Sequence, residues 1–141
     1  MTPLEALQQA LAGEHAAVYV YGVLGGRVSA SAEPELAARL TSAYTLHRGR
    51  RDHLTGRVRA QGEQPVAAQV SYRLPGPART AAQLVDAARV TERRCAAVYA
   101  AAVAGTSGAD RRWAVDALTD AAVRGLSFGG SAEPFPGVAE L

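Results

Sequence analysis

The chain has 141 residues, of which 48% are hydrophobic and 20% charged, a composition typical of one compact domain with a sizeable core. Its net charge is only +2, far from the large, clustered positive charge of nucleic-acid binders, so we do not expect a nucleic-acid partner. The single cysteine, Cys95, excludes an internal disulfide and a Cys-x-x-Cys metal site. No apolar run approaches the length of a membrane span, and no signal-peptide pattern opens the chain. We therefore expect a cytoplasmic protein without a membrane partner.

The first predicted helix begins at Thr2 and continues to about residue 27. Thr2 is a suitable capping residue, Pro3 suits the first turn, and Glu5 places an acid near the helix start. Leucine and valine recur along one face of this helix, but Glu14 stands in the middle of that face. A buried carboxylate without a partner is very costly, so Glu14 must be paired, protonated or bound to a cation.

A second helix is predicted from about residue 33 to residue 60, after a short polar connection. Such a short connection makes helices one and two antiparallel neighbours. His47 lies at the centre of the apolar face of helix two. The next connection has about eighteen residues and includes Pro65, Pro75 and Pro77, which is long for a compact domain. It is long enough to run the length of a bundle, so helices two and three could be parallel.

Thr80 is the predicted N-cap of a third helix that ends near residue 104 and carries Glu92 on its apolar face. A fourth helix is predicted from about residue 109 to residue 125, and its inner face is ambiguous. The two competing faces are Val115, Leu118 and Ala122, or Trp113, Asp116, Asp120 and Val123. We assign residues 1–126 to the helical domain and residues 127–141 to a Gly/Pro-rich tail, which could dock Phe135 against the helices.

Each predicted helix carries an ionisable group near its midpoint, and the midpoints of aligned helices share one layer. The four groups, which are candidate metal ligands, are Glu14, His47, Glu92 and Asp116. Further polar residues expected in the same layer are Tyr44, Arg51 and Asp120. The tyrosines at helical spacing are expected to be core residues whose hydroxyls reach this layer. Cys95 is expected to be a small buried apolar group rather than a nucleophile.

The stretches that carry these residues resemble an actinobacterial ferritin-like family of unknown function. They are Glu14-His15-Ala16-Ala17, His47-Arg48-Gly49-Arg50-Arg51-Asp52, Glu92-Arg93-Arg94, the segment 116–122, and Phe135-Pro136-Gly137. The resemblance implies an all-α, up-down four-helix bundle of the ferritin-like type, with a long crossover between helices two and three and an extended C-terminal tail. It also implies a homodimer that associates through helices one and two.

The di-iron form of this fold takes a Glu from each of two helices and a Glu-x-x-His motif from each of the other two. Glu14, Glu92 and His47 match positions of that pattern. However, Tyr44 stands where the motif of helix two requires a glutamate, and helix four has no histidine. This ligand set is too poor for oxygen chemistry at two irons. We therefore expect a degenerate, metal-free site in a protein that acts by binding or self-association rather than by catalysis.

Two interpretations of the polar layer remain open. In the first, Arg48 or Arg51 neutralises the two glutamates, His47 or Tyr44 hydrogen-bonds to them, and the protein needs no cofactor. In the second, the reduced ligand set holds Fe, Mn or Zn, and the protein is a metal-binding protein or a metal-dependent oxidoreductase. A pocket for a small organic ligand of unknown identity is a further possibility.

Overall fold

The computed structural model describes residues 1–138, which form four α-helices and no strand. Helix α1 spans Pro3–Arg27, α2 spans Pro34–Ala60, α3 spans Ala81–Gly105 and α4 spans Gly108–Ser127. The predicted all-α, four-helix architecture, with one long crossover between helices two and three, is thus confirmed. Residues 139–141 of the predicted tail lie outside the described residues. Among residues 1–138, no helix combines the length and the apolar character that crossing a membrane requires.

The helix starts follow the capping chemistry of the sequence. At α1, the Thr2 hydroxyl accepts from the Glu5 amide, and the Glu5 carboxylate accepts from the Thr2 amide at 2.7 Å. Thr80 and Gln83 form the same reciprocal arrangement at α3. Each of these capping boxes satisfies two backbone N–H groups that a helix start would otherwise leave without partners.

The helices pack as two antiparallel pairs, α1 with α2 and α3 with α4, and α1 also contacts α3. The first halves of α2 and α3 pack in one cluster with the end of α1, which includes Leu24, Leu40 and Leu84. Helices α2 and α3 therefore run parallel, as the length of the crossover predicted. The opposite end of α1 packs Leu7 and Leu11 against the end of α2.

Helix α4 faces the core with alanine. Ala114, Ala117 and Ala121 are 1–3% exposed, whereas Val115 and Val123 are 44% and 59% exposed. Neither predicted face as a whole points inward, although Leu118 and Trp113, one from each, are half-buried and pack beside the alanine face. An alanine face lets two helices approach closely and still buries apolar surface, so the larger residues of α4 need not point inward.

The tail is anchored by residues other than the one predicted. Phe128 is 2% exposed and its ring lies under the guanidinium of Arg39, whereas Phe135 is 75% exposed. The predicted docking of Phe135 is therefore wrong. The close approach to α3 is made by Gly137, which has a φ of +78°, and a Cβ at this position would overlap the carbonyl of Ala96. Only glycine fits there without strain.

Candidate functional site at the centre of the bundle

Three of the four predicted ligands meet at the centre of the bundle. Glu14, His47 and Glu92 are each at most 1% exposed. Nδ1 of His47 lies 2.7 Å from Oε2 of Glu14, and Nε2 lies 3.1 Å from Oε1 of Glu92. The imidazole of α2 thus bridges a carboxylate of α1 and a carboxylate of α3. The sequence predicted that these groups share one layer, because each lies near the midpoint of its helix. In the structure, hydrogen bonds join them.

Tyr21 completes this arrangement, and we call Glu14, Tyr21, His47 and Glu92 the polar centre. The Tyr21 hydroxyl donates to Oε1 of Glu92 at 2.5 Å, and its ring stacks on the imidazole of His47 with centroids 5.3 Å apart. The prediction that tyrosine hydroxyls reach the layer is correct for Tyr21. Tyr44 instead is half-buried, with its ring under the guanidinium of Arg48.

The surroundings of His47 and Tyr21 favour the protonated form of both side chains. Burial lowers the pKa of His47, but hydrogen bonds and negative charges from Glu14 and Glu92 outweigh that effect and raise its pKa to about 9. His47 is therefore an imidazolium at neutral pH and donates from both nitrogens. Burial and the adjacent Glu92 charge raise the pKa of Tyr21, so its hydroxyl stays protonated. Burial likewise raises the pKa of Cys95, which remains a thiol.

A second set of charges links α2 to α4 beside the polar centre. The Asp120 carboxylate accepts from Arg50 at 2.6 Å and from Arg124 at 2.5 Å. These bonds lower the pKa of Asp120 although burial opposes the shift. Burial lowers the pKa of Arg124, but the Asp120 and Glu92 charges outweigh that effect, so its pKa is raised. The roles of Arg50 and Arg124 were missed, although the Asp120–Arg124 spacing of one helical turn was a readable signal.

The positions predicted for Asp116 and for the neutralising arginines require correction. Asp116 is exposed, because it lies beside the buried Ala117 on a helix whose inner face is alanine. Arg51 pairs with its neighbour Asp52 at 2.8 Å near the surface, and Arg48 lies over Tyr44. The cation between the two glutamates is His47, because its position on α2 faces both α1 and α3.

The side chains present do not fit a di-iron centre. Both nitrogens of His47 are engaged by carboxylates, so this imidazolium has no lone pair for a metal. Within residues 1–138, no group of three or more His, Cys, Asp or Glu side chains is arranged to hold a metal ion. Two carboxylate oxygens, Oε1 of Glu14 and Oε2 of Glu92, are nevertheless buried without a hydrogen-bond partner in this part of the chain.

A cavity of about 300 Å³ approaches the polar centre from one side. It lies between α3, α4 and the tail, and the residues that line it include Glu92, Ala121, Gly125 and Gly130. Small residues on α4 and in the tail leave this space open. Glu92 of the polar centre thus borders this cavity.

Comparison with known proteins places this arrangement in a family. Residues 6–140 match the family model described as Domain of unknown function (DUF4439), and no curated protein matches the chain. The fold is similar to that of a conserved hypothetical protein, rv2844, from Mycobacterium tuberculosis, at 31% identity and a TM-score of 0.82, covering 90% of this chain and 87% of that one.

A second similar structure is that of ferritin like, diiron-carboxylate proteins from Bacillus anthracis str. Ames. The identity is 18% and the TM-score 0.74, with 90% of this chain and 92% of that one covered, so this likeness concerns the fold alone. Both structural matches support the helical bundle fold described above. The chain therefore belongs to the family described as Domain of unknown function (DUF4439), and it has a ferritin-like fold.

Proposed function

We propose that this protein is a metal-free ferritin-like bundle that acts by binding or self-association rather than by redox catalysis. The observation that carries the proposal is the position of His47, whose two nitrogens lie 2.7 Å and 3.1 Å from carboxylate oxygens of Glu14 and Glu92. An imidazolium there supplies the positive charge that buried carboxylates require. The polar centre then has a structural role, since it holds three helices in register.

Catalysis of oxygen chemistry would need bridging carboxylates and open coordination positions. In the polar centre, Oε1 of Glu92 already accepts two hydrogen bonds, from Tyr21 and His47. The Arg124 guanidinium interacts electrostatically with Glu92, and this positive charge further disfavours a divalent cation there. These contacts support a closed hydrogen-bonded core.

The competing function is metal binding, and one observation favours it. Oε1 of Glu14 and Oε2 of Glu92 have no hydrogen-bond partner among residues 1–138. Oxygen atoms in this state are costly to bury and are suitable ligands for Fe, Mn or Zn. For His47 to join these atoms as a metal ligand, its ring would have to lose a proton and break one of its present hydrogen bonds.

Metal analysis separates the two functions. The full chain is purified without chelators, incubated with Fe(II), Mn(II) or Zn(II), desalted, and measured by mass spectrometry for metal content. Our proposal predicts far less than one metal per chain, with the same content in Glu92→Ala and in Asp116→Ala, an exposed carboxylate that serves as the control. Near-stoichiometric metal that is lost in Glu92→Ala and retained in Asp116→Ala would refute the proposal.

Self-association is tested on the same preparation by sedimentation velocity. The exposed apolar residues of α4 include Val115, Val123 and Leu126, at 44%, 59% and 46% exposure. Their spacing places them near one face of the helix. We propose this face as the contact of a homodimer, rather than the faces of α1 and α2 that the family resemblance implied. Val123→Glu should shift the protein toward monomer, and a monomeric wild-type protein would refute self-association.

A further inference from the structure

A second cavity, of about 290 Å³, lies on the other side of the bundle between α1, α3 and the crossover. Its size is near the lower end of the range for small-molecule sites. Small residues of α1, including Gly13, Ala16 and Ala17, keep the space open. Cys95 and Val98 of α3 contribute further apolar surface.

The crossover forms a fixed outer wall for this cavity. The side chain of Gln8 donates to the Gln64 carbonyl at 2.6 Å and accepts from the Val66 amide at 2.8 Å. About two and three turns further along α1, His15 donates to the Val66 carbonyl at 3.0 Å, and the ring of Tyr19 contacts that of Tyr72. These contacts hold the long connection against α1, which accounts for its length.

Two arginines line the same cavity, Arg73 from the crossover and Arg94 from α3. Both are exposed, and neither forms an ion pair with another residue of the range 1–138. Among residues 1–138, no acidic side chain lines the cavity to neutralise them. Arginines elsewhere, such as Arg57 with Asp110 at 2.8 Å, do have carboxylate partners. The cavity thus combines an apolar interior with an unmatched positive charge.

We propose that this cavity binds a small organic acid whose apolar body fills the space between α1 and α3 and whose carboxylate pairs with Arg73 and Arg94. Arginine is the side chain best suited to carboxylates, because its planar donors match the two oxygens. The inference names a ligand class for the binding role proposed above and rests on that role. It does not depend on the protonation or metal content of the polar centre.

Calorimetric titration of the full chain with decanoate, kept below its micelle concentration, tests the proposal. Decanol supplies the apolar body without the charge, and acetate supplies the charge without the body. We expect saturable binding of one decanoate per chain, with both controls about tenfold weaker or more. Equal binding of decanoate and decanol, or no saturable binding of decanoate, would overturn the proposal.

Two arginine variants localise the site. Arg94→Gln should weaken decanoate binding about tenfold or more, whereas Arg112→Gln, an exposed arginine on α4 and the matched control, should leave it unchanged. Both variants should keep the wild-type melting temperature, since both side chains are exposed. If both variants weakened decanoate binding equally, the binding would depend on the net charge of the protein, and the proposed site would be wrong. Metal content is measured on the same samples, so a failure of this proposal is distinguishable from a failure of the metal-free one.

Discussion

The hydroxyl of Tyr21 on α1 and Nε2 of His47 on α2 both donate to one oxygen, Oε1 of Glu92 on α3, at 2.5 Å and 3.1 Å. A single carboxylate oxygen therefore joins three helices. The three side chains are almost completely buried, so none of these bonds is replaced by bulk water when it is broken. The stability of the bundle should depend strongly on each partner.

Tyr21→Phe removes one of these donors and keeps the ring stacked on His47. We expect the free energy of unfolding to fall by roughly 1–3 kcal/mol, because the buried Glu92 oxygen loses a charge-assisted hydrogen bond. Urea unfolding followed by circular dichroism measures the loss. Tyr44→Phe is the control, since the ring of Tyr44 is half-buried under Arg48, and it should change stability by less than about 0.5 kcal/mol. Equal losses in both variants would contradict the assigned role of Tyr21.

The stability of the protein should fall as the pH rises through the alkaline range. The pKa of His47 is about 9 in the folded chain against 6.5 ordinarily. The imidazolium's contribution is therefore fully present below about pH 6.5 and is lost as the pH rises through 9. The rise of the pKa from 6.5 to about 9 corresponds to roughly 3–4 kcal/mol, since one pKa unit is about 1.4 kcal/mol. Unfolding at pH 6.5 and pH 9.5 measures it, and His47→Gln should remove most of the difference. A wild-type stability that rises over this range would refute the predicted sign.

The alanine face of α4 should not tolerate larger side chains. Ala117 is 3% exposed against α3, so Ala117→Leu should overpack the contact and cost roughly 1–3 kcal/mol. The neighbouring Asp116 is exposed, and Asp116→Leu should change stability by less than about 0.5 kcal/mol. Thermal melts of the two variants compare the faces directly. The opposite order of stabilities would mean that Asp116, not Ala117, faces the core.

Asp120 should matter more for stability than the other carboxylates paired with arginine near the surface. It is the shared acceptor of Arg50 and Arg124, whose side chains are only 11% and 16% exposed. Asp120→Ala leaves both without this partner, and we expect a loss of roughly 1–3 kcal/mol. Asp86→Ala removes the exposed pair with Arg89 and should cost less than about 1 kcal/mol. Similar losses in the two variants would show that the Asp120 bonds are as weak as ordinary surface ion pairs.

The fold was largely predictable from the sequence, because its signals are local. Thr2 and Thr80 cap helices as predicted, the crossover length indicated parallel α2 and α3, and a glutamate on an apolar face required a buried partner. Family resemblance supplied the ferritin-like arrangement. Glu14, His47 and Glu92 each lie near the middle of a helix of similar length. Their position in one shared layer could therefore be predicted from the sequence.

The parts that sequence reasoning missed depend on helix rotation and on the choice between equivalent partners. Ala117 and Asp116 are adjacent, and a rotation of one residue decides which of them faces α3. Arg48, Arg50 and Arg51 lie within one turn of α2, so their spacing alone could not identify Arg50 as the partner of Asp120. Those assignments require the packed structure.

The most direct test of the account is the protonation of His47. Long-range proton–nitrogen correlation spectra of the full chain at pH 7, labelled with ¹⁵N-histidine and assigned with His47→Gln, distinguish an imidazolium from a neutral ring. We predict protonated Nδ1 and Nε2 that remain unchanged when Fe(II) or Zn(II) is added. A neutral His47 with one unprotonated nitrogen whose signal shifts or broadens on metal addition would contradict the account.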